Sequence, residues 1–293
     1  MILKEVRKNK TKTFFIVSLF FVLVTLCVYF LSLIFFEDSL VAITIGLTFS
    51  IFSSLISYYN SDQIILSING AREATREEFL QLNVTLETLC IATGLPMPKL
   101  YVMESESLNA FATGRNPKHA VICVTTGLIE KLDKYEMEGV LAHELSHIKN
   151  YDILVSTIAI VMVGFVTILS DMLVRGRFYN SSNNKNDNSN SIIQIIGLIF
   201  IILSPIFANL LNLLISRNRE YLADASAVEI TRNKEGLISA LKKIEDLSKP
   251  MENINKATES LFIADPKKSE EKDSIWSTHP STVNRIKKLQ NIN

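Results

Sequence analysis

The sequence has no net charge, few cysteines and only four histidines. Lysine plus arginine and aspartate plus glutamate balance at 30 each, so no overall cationic field attracts phosphates and nucleic acid is not an expected partner. The cysteines Cys27, Cys90 and Cys123 are odd in number and widely spaced, which predicts neither a disulfide framework nor a paired-cysteine metal site. Apolar residues are abundant instead. Hydrophobic residues make up 48% of the 293 residues, and the mean hydropathy is +0.24, so a membrane protein is the first class to test.

Four apolar runs predict transmembrane helices: Phe14–Phe36, Leu40–Tyr59, Ile153–Val174 and Ile192–Ile215. The first run has 23 residues without a charge, which at about 1.5 Å per residue spans a bilayer core of about 30 Å. It is too long for the apolar core of a signal peptide, and no small-residue cleavage site follows it. Only Glu37–Ser39 separates the first two runs, so they predict a helical hairpin. For the third and fourth runs, the alternative is a pair of buried helices in a soluble core.

Basic residues near these runs predict which ends face the cytoplasm. Five precede the first run, two follow the fourth, and the first hairpin loop has none: Lys4, Arg7, Lys8, Lys10, Lys12, Arg217 and Arg219. The pattern places the N-terminus, residues 60–152 and the tail after 216 in the cytoplasm. It therefore predicts a multi-pass protein of the plasma or inner membrane. Loop 175–191 argues against this orientation, because it brings Arg175, Arg177 and Lys185 to the outer side.

The chain is predicted to divide into a polar arm, two membrane hairpins and a polar domain in two parts. The boundaries are 1–13 for the arm, 14–59 and 153–216 for the hairpins, and 60–152 and 217–293 for the two parts of the domain. The second hairpin contains loop 175–191, of which 180–191 is a low-complexity polar stretch.

Periodicity within the polar domain predicts a mainly α fold with a small β-sheet. Short strands are expected at Leu100–Met103, Asn109–Thr113 and Ala120–Thr125. Helices are expected at Ala71–Ala92, Tyr135–Asn150, Arg217–Thr231, Gly236–Leu247 and Ser281–Leu289.

The helix predicted at Tyr135–Asn150 carries a metal-binding pattern at His143, Glu144 and His147. Positions i and i+4 of a helix share a face, so the two histidines can reach one zinc ion at about 2.0–2.1 Å. Glu144 lies near the same face and is placed to accept a proton from water at the metal. The alternative is two surface histidines beside a solvated glutamate. Two of only four histidines stand at this spacing and the flank Gly139–Ala142 is uncharged, which favours a buried metal helix.

A catalytic zinc site needs a third protein ligand and an open fourth position. The best candidate follows the fourth apolar run, where Glu220 and Asp224 share one helix face. Glu220 can be the ligand while Asp224 holds a ligand histidine through its other ring nitrogen. The alternative is a solvated acidic face paired with Arg217 and Arg219.

The sequence resembles the HtpX-type membrane zinc metalloproteases, relatives of the CAAX prenyl endopeptidases. The matching stretches are GVLAHELSHIKNYD at Gly139–Asp152, SRNREYLAD at Ser216–Asp224, NAFATG at Asn109–Gly114, and THPS at Thr278–Ser281 with Arg285. The resemblance implies one zinc ion per subunit on His143, His147 and Glu220, with Glu144 as the catalytic base. It also implies a gluzincin-like domain facing the cytoplasm, and a role in quality control of misfolded membrane proteins under stress.

Two further roles are implied by the resemblance alone. Asn109, Ala110, Phe111 and Ala112 look like the edge strand beside the cleft, which could pair with an extended substrate backbone. An ordinary core strand is the alternative. His279 looks like the residue near the developing oxyanion, to which an imidazole could donate. Its alternative is a residue that starts a helix before Pro280.

These features together predict a membrane-bound endopeptidase that hydrolyses membrane polypeptides. One rival is an intramembrane zinc protease, which would need the histidine motif inside a spanning helix. Charged residues on both sides of the motif place it at the membrane border instead: Lys131, Asp133, Lys134, Glu136, Glu138, Lys149 and Asp152. A second rival is a non-catalytic membrane scaffold with a structural zinc, against which Glu144 argues because a structural site needs no base. A transporter is disfavoured, because the predicted spans carry too few ionisable residues for a pathway.

Overall fold

A computed structural model of the protein describes residues 2–35, 39–162, 164, 217–251, 255, 258–266 and 280–292. Two long helices come first, α1 at Ile2–Phe35 and α2 at Ser39–Tyr59, and they pack against each other. The basic arm predicted at 1–13 is therefore part of α1 from Ile2 onward, since lysine and arginine are good helix formers. Of the helices within the described ranges, none is both long enough and apolar enough to cross a membrane.

A four-stranded mixed sheet lies at the centre of the described domain. Its strands are β1 at Arg72–Glu73, β2 at Lys99–Met103, β3 at Ala110–Gly114 and β4 at Ala120–Thr125. The spatial order is β1-β2-β4-β3. Strands β2 and β4 are parallel, and the other two pairs are antiparallel. The three strands predicted from the sequence are confirmed, each shifted by at most one residue at either end.

The helix predicted at Ala71–Ala92 is wrong over its first nine residues. Arg72 and Glu73 instead form β1 and pair with β2, and the helix α4 spans only Leu80–Thr93. The reason is that apolar residues at helical spacing begin only at Phe79, so the segment before it has no face to bury. The end of the helix agrees better, because Gly94 adopts the left-handed conformation that terminates it.

The remaining helices surround the sheet. They are α3 at Ser61–Ile68, α5 at Thr126–Lys131, α6 at Lys134–Lys149, α7 at residues 152–162, α8 at Arg217–Thr231, α9 at Lys234–Leu247 and α10 at Thr282–Gln290. Two short 3-10 helices occur at Pro117–His119 and Glu259–Leu261. The helices predicted for the second half of the domain are confirmed to within two residues, whereas α3 and α5 had no clear sequence signal.

Both faces of the sheet are buried, which positions the metal helix on one of them. In β4, Ile122 and Val124 face a core that includes α4, α6 and α9, while Val121 and Cys123 face a second core formed with α3 and α7. A strand covered on both sides is expected to be continuously apolar rather than alternating. The sequence of β4, AVICVT, has this composition.

Helix α7 contains the start of the third apolar run. Residues 153–155 and 158–162 are buried, and Thr157 bonds to Thr113 Oγ1 at 2.9 Å and to the Gly114 N–H at 3.1 Å. This stretch is a buried helix that packs against β3. The rest of that run, the fourth run, loop 175–191 and the tip of the first hairpin lie outside the described residues.

Helix α6 begins with a reciprocal cap and then passes very close to α9. Asp133 accepts from the Glu136 N–H at 3.0 Å while the Glu136 carboxylate accepts from the Asp133 N–H at 2.8 Å, so two exposed donors are satisfied at once. Further along, Gly139 meets Leu237 so closely that a β-carbon would lie 2.9 Å from its Cα and N atoms. The absence of a side chain at Gly139 therefore allows α6, the helix that carries the metal-binding histidines, to pack closely against α9.

Gly139→Ala should destabilise the fold, because the added methyl meets backbone of α9 rather than a flexible side chain. Overpacking of this kind costs about 1–3 kcal/mol. Thermal unfolding of the purified protein measures the effect, and Glu138→Ala, one residue earlier on the same helix, is the control. Equal unfolding midpoints for the two variants would contradict the close approach of α6 and α9.

Candidate metal centre

Three side chains from two helices converge on one point. His143 and His147 lie one turn apart on α6, and Glu220 comes from α8. Their ligand atoms all lie within 4.8 Å of one another. The two Nε2 atoms are 3.2 Å apart, and the Glu220 carboxylate oxygens lie 3.5 Å from His143 Nε2 and 3.6 Å from His147 Nε2. The alternative of two surface histidines is wrong, since His143 is fully buried and Glu220 is only 4% exposed.

The outer nitrogen of each histidine is held by a carboxylate. His143 Nδ1 donates to Asp224 at 3.0 Å, and His147 Nδ1 donates to Asp152 at 3.0 Å. With Nδ1 protonated in each ring, both Nε2 lone pairs point into the space beside Glu220. Carboxylate partners of this kind set the tautomer and raise the basicity of metal-binding histidines.

The spacing fits a tetrahedral cation. Two ligand atoms at about 2.0–2.1 Å from a tetrahedral ion stand about 3.4 Å apart, and the three observed separations are 3.2, 3.5 and 3.6 Å. Burial lowers the pKa of His143 while Asp224 and Glu220 raise it, and the balance raises it to about 9. The same two carboxylates favour any cation at Nε2, so the donor set fits zinc.

Arg285 connects this centre to the end of the chain. Its guanidinium donates to both oxygens of Asp224, at 2.9 and 2.6 Å, and to the Ile263 carbonyl at 2.7 Å. Burial alone would raise the pKa of Asp224, but Arg285 and His143 lower it to about 2. Asp224 is therefore ionised and held in place while it accepts from His143. The alternative of a solvated acidic face on α8 is wrong, because both Glu220 and Asp224 are buried.

Glu144 lies at the same centre with the character expected of a proton acceptor. It is 2% exposed, and burial raises the pKa of its carboxyl, opposed by His143 and His147. A raised pKa brings a carboxylate closer to the working pH of a general base. Glu144 also lines a cavity of about 30 Å³ together with both histidines and Glu220.

The described lining leaves little free space at the centre. About 30 Å³ accommodates a water molecule or two, and Ala112 and residues 260–263 line the cavity together with the metal-binding side chains. Phe262 and Ile263 are the part of this lining that lies outside the helices and strands.

The predicted edge strand is at the edge of the sheet, but much of that edge is occupied. Among the strands that the structure describes, β3 pairs with β4 alone. Alternate residues of β3 direct their backbone groups away from this partner strand. Ala110 accepts from the Ile263 N–H at 2.9 Å, and Gly114 donates to Thr157. The outward backbone of Ala112 lies between these two contacts, at the wall of the cavity.

The other members of the predicted edge segment face the interior of the domain. Asn109 exchanges two hydrogen bonds with the backbone of Ala264, at 3.0 and 3.3 Å, and Phe111 packs edge-on against Phe262 with ring centroids 5.1 Å apart. Only Ala112 of the four lines the cavity, so pairing of a substrate along the whole segment stays a prediction.

Comparison with known proteins supports the same chemistry. The family model for peptidase family M48 matches residues 76–293, which include every member of the centre just described. The chain belongs to this family. The protein is therefore a metallopeptidase, a hydrolase of peptide bonds, and the resemblance to the HtpX-type proteases is confirmed.

Relatives of this M48 peptidase align over its whole length. A protease HtpX homologue of Listeria monocytogenes serotype 4a is 42% identical over 304 residues and covers 100% of both chains. Another from Dictyoglomus turgidum is 44% identical over 288 residues, 98% of this chain and 93% of its own. Among solved structures, S. mikatae Ste24p aligns with a TM-score of 0.50 and 22% identity, covering 98% of this chain and 67% of that one. At that identity the likeness concerns the fold alone.

Sequence reasoning missed two residues that hold the M48 centre together. Asp152 follows His147 by five positions and Arg285 follows the THPS stretch, but from the sequence neither residue is assigned a role in holding a metal ligand. The signal that could have found Asp152 is the need of each ligand histidine for a carboxylate partner. His279, proposed near the oxyanion, lies outside the described residues.

Proposed function

We propose that the protein holds one zinc ion on His143, His147 and Glu220 and cleaves polypeptides of the membrane in which it is embedded. The observation that carries the metal site is the convergence of two Nε2 atoms and a buried carboxylate, with each Nδ1 held by its own carboxylate. A structural ion would not need Glu144, which supports an endopeptidase over a scaffold.

Each residue has a defined task in the proposed reaction. When bound, zinc would polarise the scissile carbonyl and lower the pKa of the attacking water toward about 7. Glu144 takes the proton from that water and then passes it to the leaving amine. Ala112 offers outward backbone groups to the extended substrate. His279 is proposed to donate to the oxyanion.

The membrane location is proposed from the apolar runs and the path of the chain. The metal helix α6 ends at Lys149, and α7 begins three residues later with the third apolar run. The catalytic centre therefore lies close to where the chain is proposed to enter the bilayer. Charged residues flank the histidine motif on both sides, which supports a site at the cytoplasmic border over one within the bilayer. Misfolded membrane proteins are the substrates that such a site would reach, in a quality-control role.

Removal of one proposed ligand tests the metal site. Glu220→Ala should lose zinc affinity by about 100-fold or more, since loss of even an indirect partner of a metal ligand costs about 10–100-fold. Zinc per chain is measured on the full-length protein in detergent by atomic absorption. Glu229→Ala, an exposed glutamate on the same helix, is the matched control. One zinc per chain in both variants would overturn the assignment of Glu220.

The same preparations test the substrate class. After reconstitution into vesicles, the wild type should cleave an unfolded membrane protein in the same bilayer faster than a soluble unfolded polypeptide, and Glu220→Ala should cleave neither. Equal rates on both substrates would contradict the preference for membrane proteins and leave the zinc result standing.

A further inference from the structure

Asn9 is a buried amide at the start of the first long helix. It is only 1% exposed, although its neighbours Lys8 and Lys10 are exposed. Its Nδ2 donates to Asp152 Oδ1 at 2.8 Å and to the Asn150 carbonyl at 3.0 Å. Nothing in the metal chemistry described so far uses this contact, and it joins parts of the chain that are 143 positions apart.

Asp152 divides its two oxygens between Asn9 and a proposed metal ligand. Oδ2 accepts from His147 Nδ1 at 3.0 Å, while Oδ1 accepts from Asn9 and lies 3.5 Å from Arg219. A carboxylate held at both oxygens is restricted in its rotation about its last bond, so the bond from Asn9, with Arg219 nearby, helps to fix the plane in which His147 is held.

Asn9 also secures the turn between α6 and α7. Tyr151 has a φ of 59° there, a left-handed conformation that costs energy for a residue other than glycine. Asn9 bonds to the carbonyl just before it, and the Lys10 ammonium lies 4.5 Å from the centre of the Tyr151 ring. The beginning of α1 therefore docks on the turn that follows the histidine motif.

We propose that Asn9 is a positioning residue of the metal centre, which orients His147 through Asp152 and so links the first helix to the catalytic site. The inference rests on the zinc site proposed above. It makes the first long helix part of the support for the metal. A truncated protein that begins at residue 60 would lack Asn9 and therefore this support.

The test compares how firmly zinc is held. In Asn9→Ala, zinc should pass to an excess of chelator about 10-fold faster than in the wild type, at the low end of the range for indirect partners of a metal ligand. Asp152→Ala should show a larger effect, up to about 100-fold. Thr11→Ala is the matched control, because this exposed residue bonds to the Arg7 carbonyl of its own helix and has no other side-chain hydrogen bond among the described residues. It should release zinc at the wild-type rate.

Two further measurements distinguish a residue that orients His147 from one that only attaches α1 to the domain. They are the spectrum of the cobalt-substituted protein and the zinc release of a double variant at positions 9 and 152. Asn9→Ala should shift the visible absorption of the cobalt-substituted protein, which reports ligand geometry. Asn9→Asp places a second carboxylate against Asp152 and should release zinc faster still. Adding Asp152→Asn to Asn9→Asp exchanges the two side chains, so that the amide at position 152 can donate to the carboxylate at position 9. The double variant should therefore release zinc more slowly than Asn9→Asp alone.

The outcomes are distinguishable from those of the zinc site itself. A wild type that takes up no zinc would overturn both proposals. A wild type that binds zinc, with Asn9→Ala showing the same release rate and cobalt spectrum, would overturn the role of Asn9 alone. A lowered unfolding temperature with unchanged release and spectrum would also overturn it, because that is the behaviour of a residue that only fastens α1.

Discussion

Glu144→Gln should lower the rate of peptide-bond hydrolysis by about 100-fold or more, while zinc is retained. General base catalysis contributes about 10²–10⁴-fold, and glutamine is isosteric but cannot take a proton. Zinc should stay because Glu144 is not among the three converging ligand residues. Cleavage of a membrane substrate in detergent and zinc per chain are the two measurements.

Glu138→Gln is the matched control for this variant. It makes the same change six positions earlier on the metal helix, away from the cavity, and should cleave at the wild-type rate. Wild-type cleavage by Glu144→Gln would show that another group takes the proton. Loss of zinc along with activity would instead assign Glu144 to metal binding.

Arg285→Ala should destabilise the fold by about 3–5 kcal/mol, the cost of leaving one partner of a buried ion pair without the other. Arg285 is 2% exposed and Asp224 is equally buried, so water cannot replace the lost guanidinium. The Ile263 carbonyl would also lose its donor. The unfolding temperature and the zinc content of the full-length protein should both fall, because Asp224 holds His143.

Two variants on the same helix calibrate that result. Arg285→Lys retains the charge but not the fork that bonds both oxygens of Asp224, so it should be intermediate. Lys287→Ala removes an exposed basic residue of α10. This variant should unfold at the same temperature as the wild type. An Arg285→Ala protein as stable as Lys287→Ala would contradict the buried ion pair.

The pH dependence of the wild type follows from the same pair. The folded-state pKa of Asp224 is lowered from 3.8 to about 2, so its ionised form is favoured by folding. The corresponding stability is fully present above about pH 4 and is lost as the pH falls toward 2. Arg285→Ala removes the opposing charge that lowers this pKa, so this acid-dependent part of the stability should be smaller in the variant than in the wild type.

Elements with a strong local pattern could be predicted closely. The helices α6 and α8 and the strand β4 have apolar spacing, caps or a continuous apolar run within their own residues. The start of α4 could not be predicted in the same way, because pairing of Arg72 and Glu73 with β2 depends on residues about 30 positions away. The short helices α3 and α5 have too few residues for a periodic signal.

Strand β3, the predicted substrate-binding edge, shows a different limit of prediction from sequence. Its sequence indicates a strand beside the cleft, and β3 is at the sheet edge. Whether an edge is available depends on what lies against it, and residues 262–264 lie against Asn109, Ala110 and Phe111. A loop with no periodic pattern gave no indication of that contact.

The sequence by itself determined the pair of histidines and the base, because i, i+4 spacing brings His143 and His147 to one side of a helix and leaves Glu144 near that side. It also indicated Glu220 as the third ligand, because a carboxylate is a suitable zinc ligand. It did not indicate how close Glu220 lies to the two histidines. It also proposed that Asp224 holds a ligand histidine. Only the tertiary structure decided that this histidine is His143, that Arg285 lies behind Asp224, and that Asp152 and Asn9 lie behind His147. Those contacts join residues as far as 143 positions apart. They depend on how the helices pack, which local spacing does not encode.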